Sequence, residues 1–284
     1  MNKEIQIIEC PRDAMQGLQN IIPTKKKADY INSLIEVGFD IIDFGSFVSP
    51  KLVPQMADTS DLLKLLKIKD STSLLAVVLN EKGAIQASSF SDVKVLGYPL
   101  SISDIFQKKN TNKNISSSLL LVDKILNICL QKNKKLLIYF SMAFGNPYNE
   151  QWNKSILFYH INEIRKKGID FISLADTIGN STKESIQDIY IDTKHNFPDL
   201  DIGLHLHSQP DLVYGKIESA WNAGCRRFDV AINGYGGCPF AQDKLVGNIP
   251  TEKLLNFLAD KNIKHSLDLL AFENAYNQSR DIFN

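Results

Sequence analysis

The chain has 284 residues, 44% of them hydrophobic and 23% charged, the composition of an ordinary globular protein. Lysine plus arginine and aspartate plus glutamate both number 32, so no charge excess marks out a nucleic-acid or polyanion surface. The N-terminal stretch MNKEIQIIECPRD lacks the apolar centre of a secretory leader, and no apolar run is long enough to span a bilayer, so neither a membrane nor a nucleic acid is expected as a partner.

Taken in chain order, short apolar, β-branched runs alternate with longer segments of helical spacing. EIQIIEC (4–10) is the first strand candidate and leads into Arg12 and Asp13. ADYINSLIEVGF (28–39) has helical spacing, and DIIDFGS (40–46), SLLAVVLN (73–80) and DVKVLGY (92–98) follow as strands. QKKNTNKNISSS (107–118) reads as a surface loop entering a helix over 116–133. KLLIYFSM (135–142) is the fifth strand, and Ile156, Phe158, Tyr159, Ile161 and Ile164 form the apolar stripe of a helix over 155–168. DFISLADT (170–177), DIGLHLHS (201–208) and RFDVAIN (227–233) bring the strands to eight, with helical sequence at 255–282. Gly38, Gly168 and Gly224 each precede a strand, where a helix C-cap glycine belongs. The runs Lys25–Lys27, Lys108–Lys109 and Lys134–Lys135 read as solvated faces. Cys10, Cys129, Cys225 and Cys238 are widely spaced with no CxxC, which predicts free thiols in a reducing cytoplasm.

The strands are apolar almost continuously, as when both faces are covered. Eight β-then-α units in one undivided chain predict a single (β/α)8 TIM barrel spanning residues 1–284, with its site at the C-terminal ends of the strands. Polar residues gather at those ends: Arg12, Asp13, Asp43, Ser46, Ser141, Asp176, Thr177, His205, His207 and Asn233.

His205 and His207 are two apart on one strand, so their side chains share a face. Two readings stay open for them, a packed or hydrogen-bonded pair and a pair of metal ligands. Barrel closure brings the first strand, with Asp13 beyond it, close to the eighth. Imidazole plus carboxylate with room for water suits a divalent cation, and without a thiolate in register the expected ion is Mg²⁺ or Mn²⁺. The stretch NGYGGCPFAQDKLVGN (233–248) follows the last strand, and its glycines make it conformationally permissive. It has no phosphate-loop pattern. Its Cys238 is open to two readings, an inert apolar side chain or a mobile acid–base group at the reactive rim.

PRDAMQ (11–16), SFVSPKLVPQMAD (46–58), LADTIG (174–179), HLH (205–207) and GGCPFAQ…GN (236–248) occur in order over residues 4 to about 260. Together they resemble the 3-hydroxy-3-methylglutaryl-CoA lyase family of the DRE-TIM metallolyases. The resemblance implies retro-Claisen cleavage of an acyl-CoA substrate to acetyl-CoA and acetoacetate, a divalent metal (Mg²⁺ or Mn²⁺), and a homodimer, for which helices at 255–282 offer a contact. It implies that Asp13, His205, His207 and Asn248 ligate the cation. It also implies that Arg12 faces the thioester carbonyl, and that Cys238 belongs to a catalytic loop. Ser173, Asp176 and Thr177 match positions lining the substrate pocket, with Gln16 and Ser46 as neighbours. Asp13, Asp43 and His205 all stay open as the base.

Departures from the family pattern are Asp43 for glutamate, Ser208 for aspartate after the second histidine, RDAMQ for RDGLQ, Ser141 and Asn146 where cysteines often occur, and one extra residue between Gln242 and Gly247. They bear on the substrate more than on the reaction class. The competing expectations are a lyase for a different 3-hydroxyacyl-CoA, a condensing acyltransferase of the same superfamily, and a non-catalytic scaffold. The scaffold predicts damage at the ligand positions, and all of those survive.

Overall fold

In the computed structural model, residues 4–237 and 246–283 are described. Strands β1 (Gln6–Glu9), β2 (Ile41–Ser46), β3 (Ser73–Val77), β4 (Val93–Ser101), β5 (Lys135–Ser141), β6 (Phe171–Asp176), β7 (Asp201–Ser208) and β8 (Arg227–Val230) are parallel and pair in sequence order. The β1–β8 and β6–β7 pairings close the ring into the expected (β/α)8 barrel. Helices α1 (Pro11–Gln16), α2 (Thr24–Val37), α3 (Thr59–Leu63), α4 (Glu81–Ser88), α5 (Asp104–Thr111) and α6 (Ile115–Gln131) intervene over the first half. Helices α7 (Lys154–Lys166), α8 (Lys183–Asn196), α9 (Val213–Asn222), α10 (Thr251–Asp260) and α11 (Leu269–Phe283) complete the outer layer.

Alternation along the strands divides the apolar side chains between two cores. One large cluster fills the space between barrel and helices. A second, separate cluster lies inside the barrel and includes Ile8, Cys10, Leu75, Val77, Val95, Leu137 and Tyr139. The interior is polar on the side formed by β6, β7 and β8. There Arg227 lies buried over Gly203, donates to Ser173 Oγ at 3.0 Å and to Asp201 Oδ1 at 3.1 Å, and stacks on Phe171.

The three glycines expected at helix ends all have positive φ, +85° at Gly38, +84° at Gly168 and +96° at Gly224. Several expectations are corrected. PRDAMQ is a helical turn, α1, opened by Pro11 at its first position. The last strand stops at Val230, and a 3-10 turn occupies Ile232–Gly234. The 107–118 stretch is helical except at residues 112–114, and Gln107 is fully buried, accepting from Ser101 N and donating to Thr111 and Ser118. Lys27 is no solvated lysine: it is fully buried, with its ammonium on Gln55 O and Asp58 Oδ1, because helix α2 turns that position toward the barrel.

Glu9 closes this framework at the end of β1. Its carboxyl takes Ile232 N at 2.8 Å and Thr251 Oγ1 at 2.6 Å, joining the exit of β8 to the start of α10. Burial raises its pKa to about 8 despite these two bonds. The folded protein therefore holds a proton that the unfolded chain has lost, and the stability this contributes is fully present below pH 4.5 and disappears as pH rises through about 8. Urea midpoints measured from pH 5 to 9 should fall less steeply in Glu9→Gln than in the wild type. Identical slopes would show that Glu9 titrates normally.

Candidate active site

Three breaks in regular structure build the site at the C-terminal mouth of the barrel. Helix α1 begins directly after β1, which turns Arg12 and Asp13 back over the mouth. A register shift in β2 between Asp43 and Gly45 brings Ser46 to the cavity, three residues beyond Asp43, where a regular strand would send it outward. A two-residue strand, β9 (Gly247–Asn248), pairs antiparallel with β7 and sets Asn248 opposite His207. Gly236 is held at φ +99° with a hypothetical Cβ only 2.8 Å from Ala14 Cα, so only glycine lets the chain cross α1 this closely.

Asp13 is the hub. Its Oδ1 accepts from Gln16 Nε2 at 2.8 Å and Arg12 Nη1 at 3.2 Å, and its Oδ2 accepts from Asn248 Nδ2 at 2.8 Å. Arg12 in turn grips Asp43 through Nε (3.0 Å) and Nη2 (2.5 Å) and donates Nη1 to Gln16 Oε1 at 2.8 Å. A guanidinium has five N–H groups. Four are engaged in these bonds, the fifth has no partner among the described residues, and Arg12 lines the cavity.

On the facing strand, His205 Nδ1 meets Asp229 Oδ2 at 3.2 Å, which leaves Nε2 as the lone-pair atom, 3.2 Å from His207 Nε2. Asp13, His205 and His207 each bring a ligand atom to within 4.8 Å of the others. Burial and the neighbouring His205 push the His207 pKa down to about 4, so its ring is neutral. Burial works against charge on His205 too, but the Asp229 hydrogen bond and charge outweigh it and raise its pKa. Burial also opposes the Asp13 carboxylate, yet Arg12 and the two histidines together hold it at about 2. In Asp43 burial wins over Arg12 and the pKa rises to about 6.

The donors fit a divalent cation. Among the described residues, Asn248 Oδ1, His207 Nδ1, Asp229 Oδ1, Ser46 Oγ and Tyr139 OH are buried without a hydrogen-bond partner, a costly concentration of unmet polarity at this end of the barrel. One carboxylate, two imidazoles and an orphaned amide oxygen make a mixed nitrogen–oxygen set of the kind that holds Mn²⁺ or Mg²⁺. Asp229 stands behind His205, the arrangement by which a carboxylate fixes an imidazole that is to ligate a metal.

Of the other residues singled out in the sequence, Gln16, Ser46 and Thr177 line the cavity with Arg12, Asp13, His205 and His207. Thr177 Oγ1 also accepts from Met142 N at 2.9 Å. Asp43 is buried behind Arg12, outside the cavity lining. Ser173 lies deeper in the barrel, under Arg227. Asp176 is on the opposite face of β6 from Ala175, which lines the cavity, and is bound to Lys216 and Ser181. Cys238 lies outside the described residues. Sequence reasoning missed Asp229, Lys216 and Tyr139. Asp229 had a readable signal, a lone acid in an apolar strand, whereas Lys216 sits in helical sequence with nothing local to single it out. Most of the remaining cavity wall is apolar, with Val48, Leu52, Val53, Val77, Leu79 and Phe106 among its residues, interrupted by Asn110, Tyr139 and Ser141.

The family model described as HMGL-like matches residues 4–278. The chain is 32% identical over 270 residues to mitochondrial hydroxymethylglutaryl-CoA lyase of Bos taurus, covering 94% of this chain and 82% of that one. It is 32% identical to cytoplasmic 3-hydroxy-3-methylglutaryl-CoA lyase of Danio rerio, with 94% and 79% covered. An Acinetobacter baumannii HMG-CoA lyase, solved with coenzyme A and 3-methylmalate, superposes with a TM-score of 0.91 at 30% identity, over 98% of this chain and 91% of that one.

Asp229→Asn should lower the pH at which His205 titrates, read from its imidazole resonances by NMR. An unmoved titration would show that Asp229 does not set it.

Proposed function

The chain belongs to the HMGL-like family, and on that footing we propose that it is a divalent-metal-dependent lyase. It cleaves 3-hydroxy-3-methylglutaryl-CoA to acetyl-CoA and acetoacetate. The observation that carries this reading is the pairing, across one cavity, of a guanidinium with one N–H uncommitted among the described residues and a cluster of lone-pair donors around Asp13.

Retro-Claisen cleavage removes the proton of the tertiary alcohol, breaks the adjacent C–C bond and leaves the electron pair as the enolate of acetyl-CoA. Asp13, His205, His207 and Asn248 would hold the cation, which when bound supplies Lewis acidity that lowers the pKa of the substrate hydroxyl. Asp13, Asp43 and His205 stay open as the group that takes the alcohol proton; if it is His205, Nε2 must be off the cation to receive it, and Asp229 balances the charge gained. Arg12 offers its free N–H to the thioester oxygen and stabilises the charge that arrives there as the bond breaks. Asp43 and Gln16 keep the guanidinium plane fixed from two sides, so little reorganisation is needed at the moment of reaction. The apolar wall excludes water and so slows stray protonation of the enolate. Cys238 is assigned the return of a proton to the enolate carbon.

We assign an acyl-CoA as the partner and a homodimer as the assembly, to be read by light scattering. No helix among the described residues is long and apolar enough to cross a membrane. The cytoplasmic assignment is kept on the free thiols Cys10, Cys129 and Cys225.

Turnover is measured on a panel of 3-hydroxyacyl-CoA thioesters with Mn²⁺ or Mg²⁺ after EDTA treatment, following the released acyl-CoA by the free thiol liberated in a coupled assay. Loss of activity with EDTA and recovery with metal, highest on the 3-hydroxy-3-methylglutaryl thioester, is the expected result. A higher kcat/KM on another thioester overturns the substrate, and turnover untouched by EDTA overturns the metal. His205→Ala should lose both Mn²⁺ retention and cleavage. Arg12→Met should keep Mn²⁺ yet lose kcat by about 10²–10⁴. Near-normal turnover in either variant removes that residue from the mechanism.

A further inference from the structure

Lys216 on α9 is 1% exposed, a position where a charged ammonium is costly unless every N–H is met. All three are met. Nζ donates to Asp176 Oδ2 at 2.9 Å, to His207 O at 2.8 Å and to Gly179 O at 3.1 Å. Asp176 is independently supplied by Ser181, through its hydroxyl at 2.5 Å and its backbone N–H at 3.2 Å. Two of the three acceptors are neutral main-chain carbonyls, which need no charge to balance them. Lys216 therefore does more than neutralise a carboxylate: it ties the C-terminal ends of β6 and β7 together. One tie is at the residue whose ring meets His205 across 3.2 Å. The other is at Gly179, whose Cα hydrogens face Val246, since a Cβ there would fall 2.6 Å from Val246 Cγ1. Val246 leads directly into β9, which carries Asn248.

We infer that Lys216 is a positioning residue of the metal-binding face, holding the main chain of His207 and bracing the approach to Asn248. This rests on the metal reading given under Proposed function. A lysine that only balanced Asp176 would be dispensable once both charges were gone; one that positions His207 would not be.

The test is a four-way comparison of wild type, Lys216→Met, Asp176→Asn and the double variant. Each is read twice, by urea unfolding and by Mn²⁺ affinity from the EPR signal of the free ion, without substrate. Lys216→Met alone should lose both stability and Mn²⁺ affinity. The double variant, free of the unpaired carboxylate, should regain most of the stability yet bind Mn²⁺ about 10- to 100-fold more weakly than wild type, the range for loss of a group supporting a ligand. Asp176→Asn, which keeps the bonds from Lys216 to both carbonyls, should bind Mn²⁺ more tightly than the double variant. Recovery of Mn²⁺ affinity in the double variant overturns the inference, and so does a loss in Asp176→Asn equal to that of the double variant. A wild type that binds no Mn²⁺ at all overturns the metal reading itself, and this inference with it.

Discussion

The structure is organised around the carboxylate of Asp13. It binds Arg12 and Gln16 within its own helical turn and Asn248, 235 residues later in the chain. The two histidines of β7 lie within ligand distance. A buried carboxylate in such a place is stable only while its partners stay in position. Barrel closure supplies that condition, because it makes β1 and β8 neighbours and brings the segment after β8 back over β1. Without closure, Asp13 and Asn248 would have no reason to meet.

The barrel interior is partitioned to serve this centre. The β1–β5 side carries most of the interior apolar cluster, with Asp43 and Ser46 at its mouth, while β6, β7 and β8 carry Ser173, His205, His207, Arg227 and Asp229. Two buried cations stand at different depths. Arg227 plugs the lower barrel against Ser173 and Asp201, and Arg12 faces the mouth between Asp43 and Asp13. Each is paired with a carboxylate on a neighbouring strand, Asp43 on β2 and Asp201 on β7, so the charges also help fix which strands sit side by side.

The site's electrostatics separate its residues by task. Asp13 stays ionised at about 2, and His207 stays neutral with a pKa near 4, both states suited to holding a cation. Asp43, one methylene shorter than the glutamate common in the family, spends both oxygens on Arg12. Arg12 stands between it and the cavity, so Asp43 holds the guanidinium in place. The orphaned atoms Asn248 Oδ1, Ser46 Oγ and Tyr139 OH mark where substrate and ion would complete the polar set.

Membership of the HMGL-like family and the barrel itself were legible in the sequence. Eight apolar runs separated by helical spacing leave few other ways to cover both faces of each strand. The HLH spacing likewise fixed that His205 and His207 share a face, by the two-residue period of a strand. That same period explains Asp176. Its place at a strand end was visible, but which face it takes depends on register, and it turned to Lys216 while Ala175 took the cavity. The β2 register shift that admits Ser46, the short strand that delivers Asn248, and the burial of Lys27, Lys216 and Arg227 were decided only by the tertiary structure. A lysine carries no mark of its partner in the sequence. Whether it is solvated or buried depends on acceptors that folding brings from distant segments.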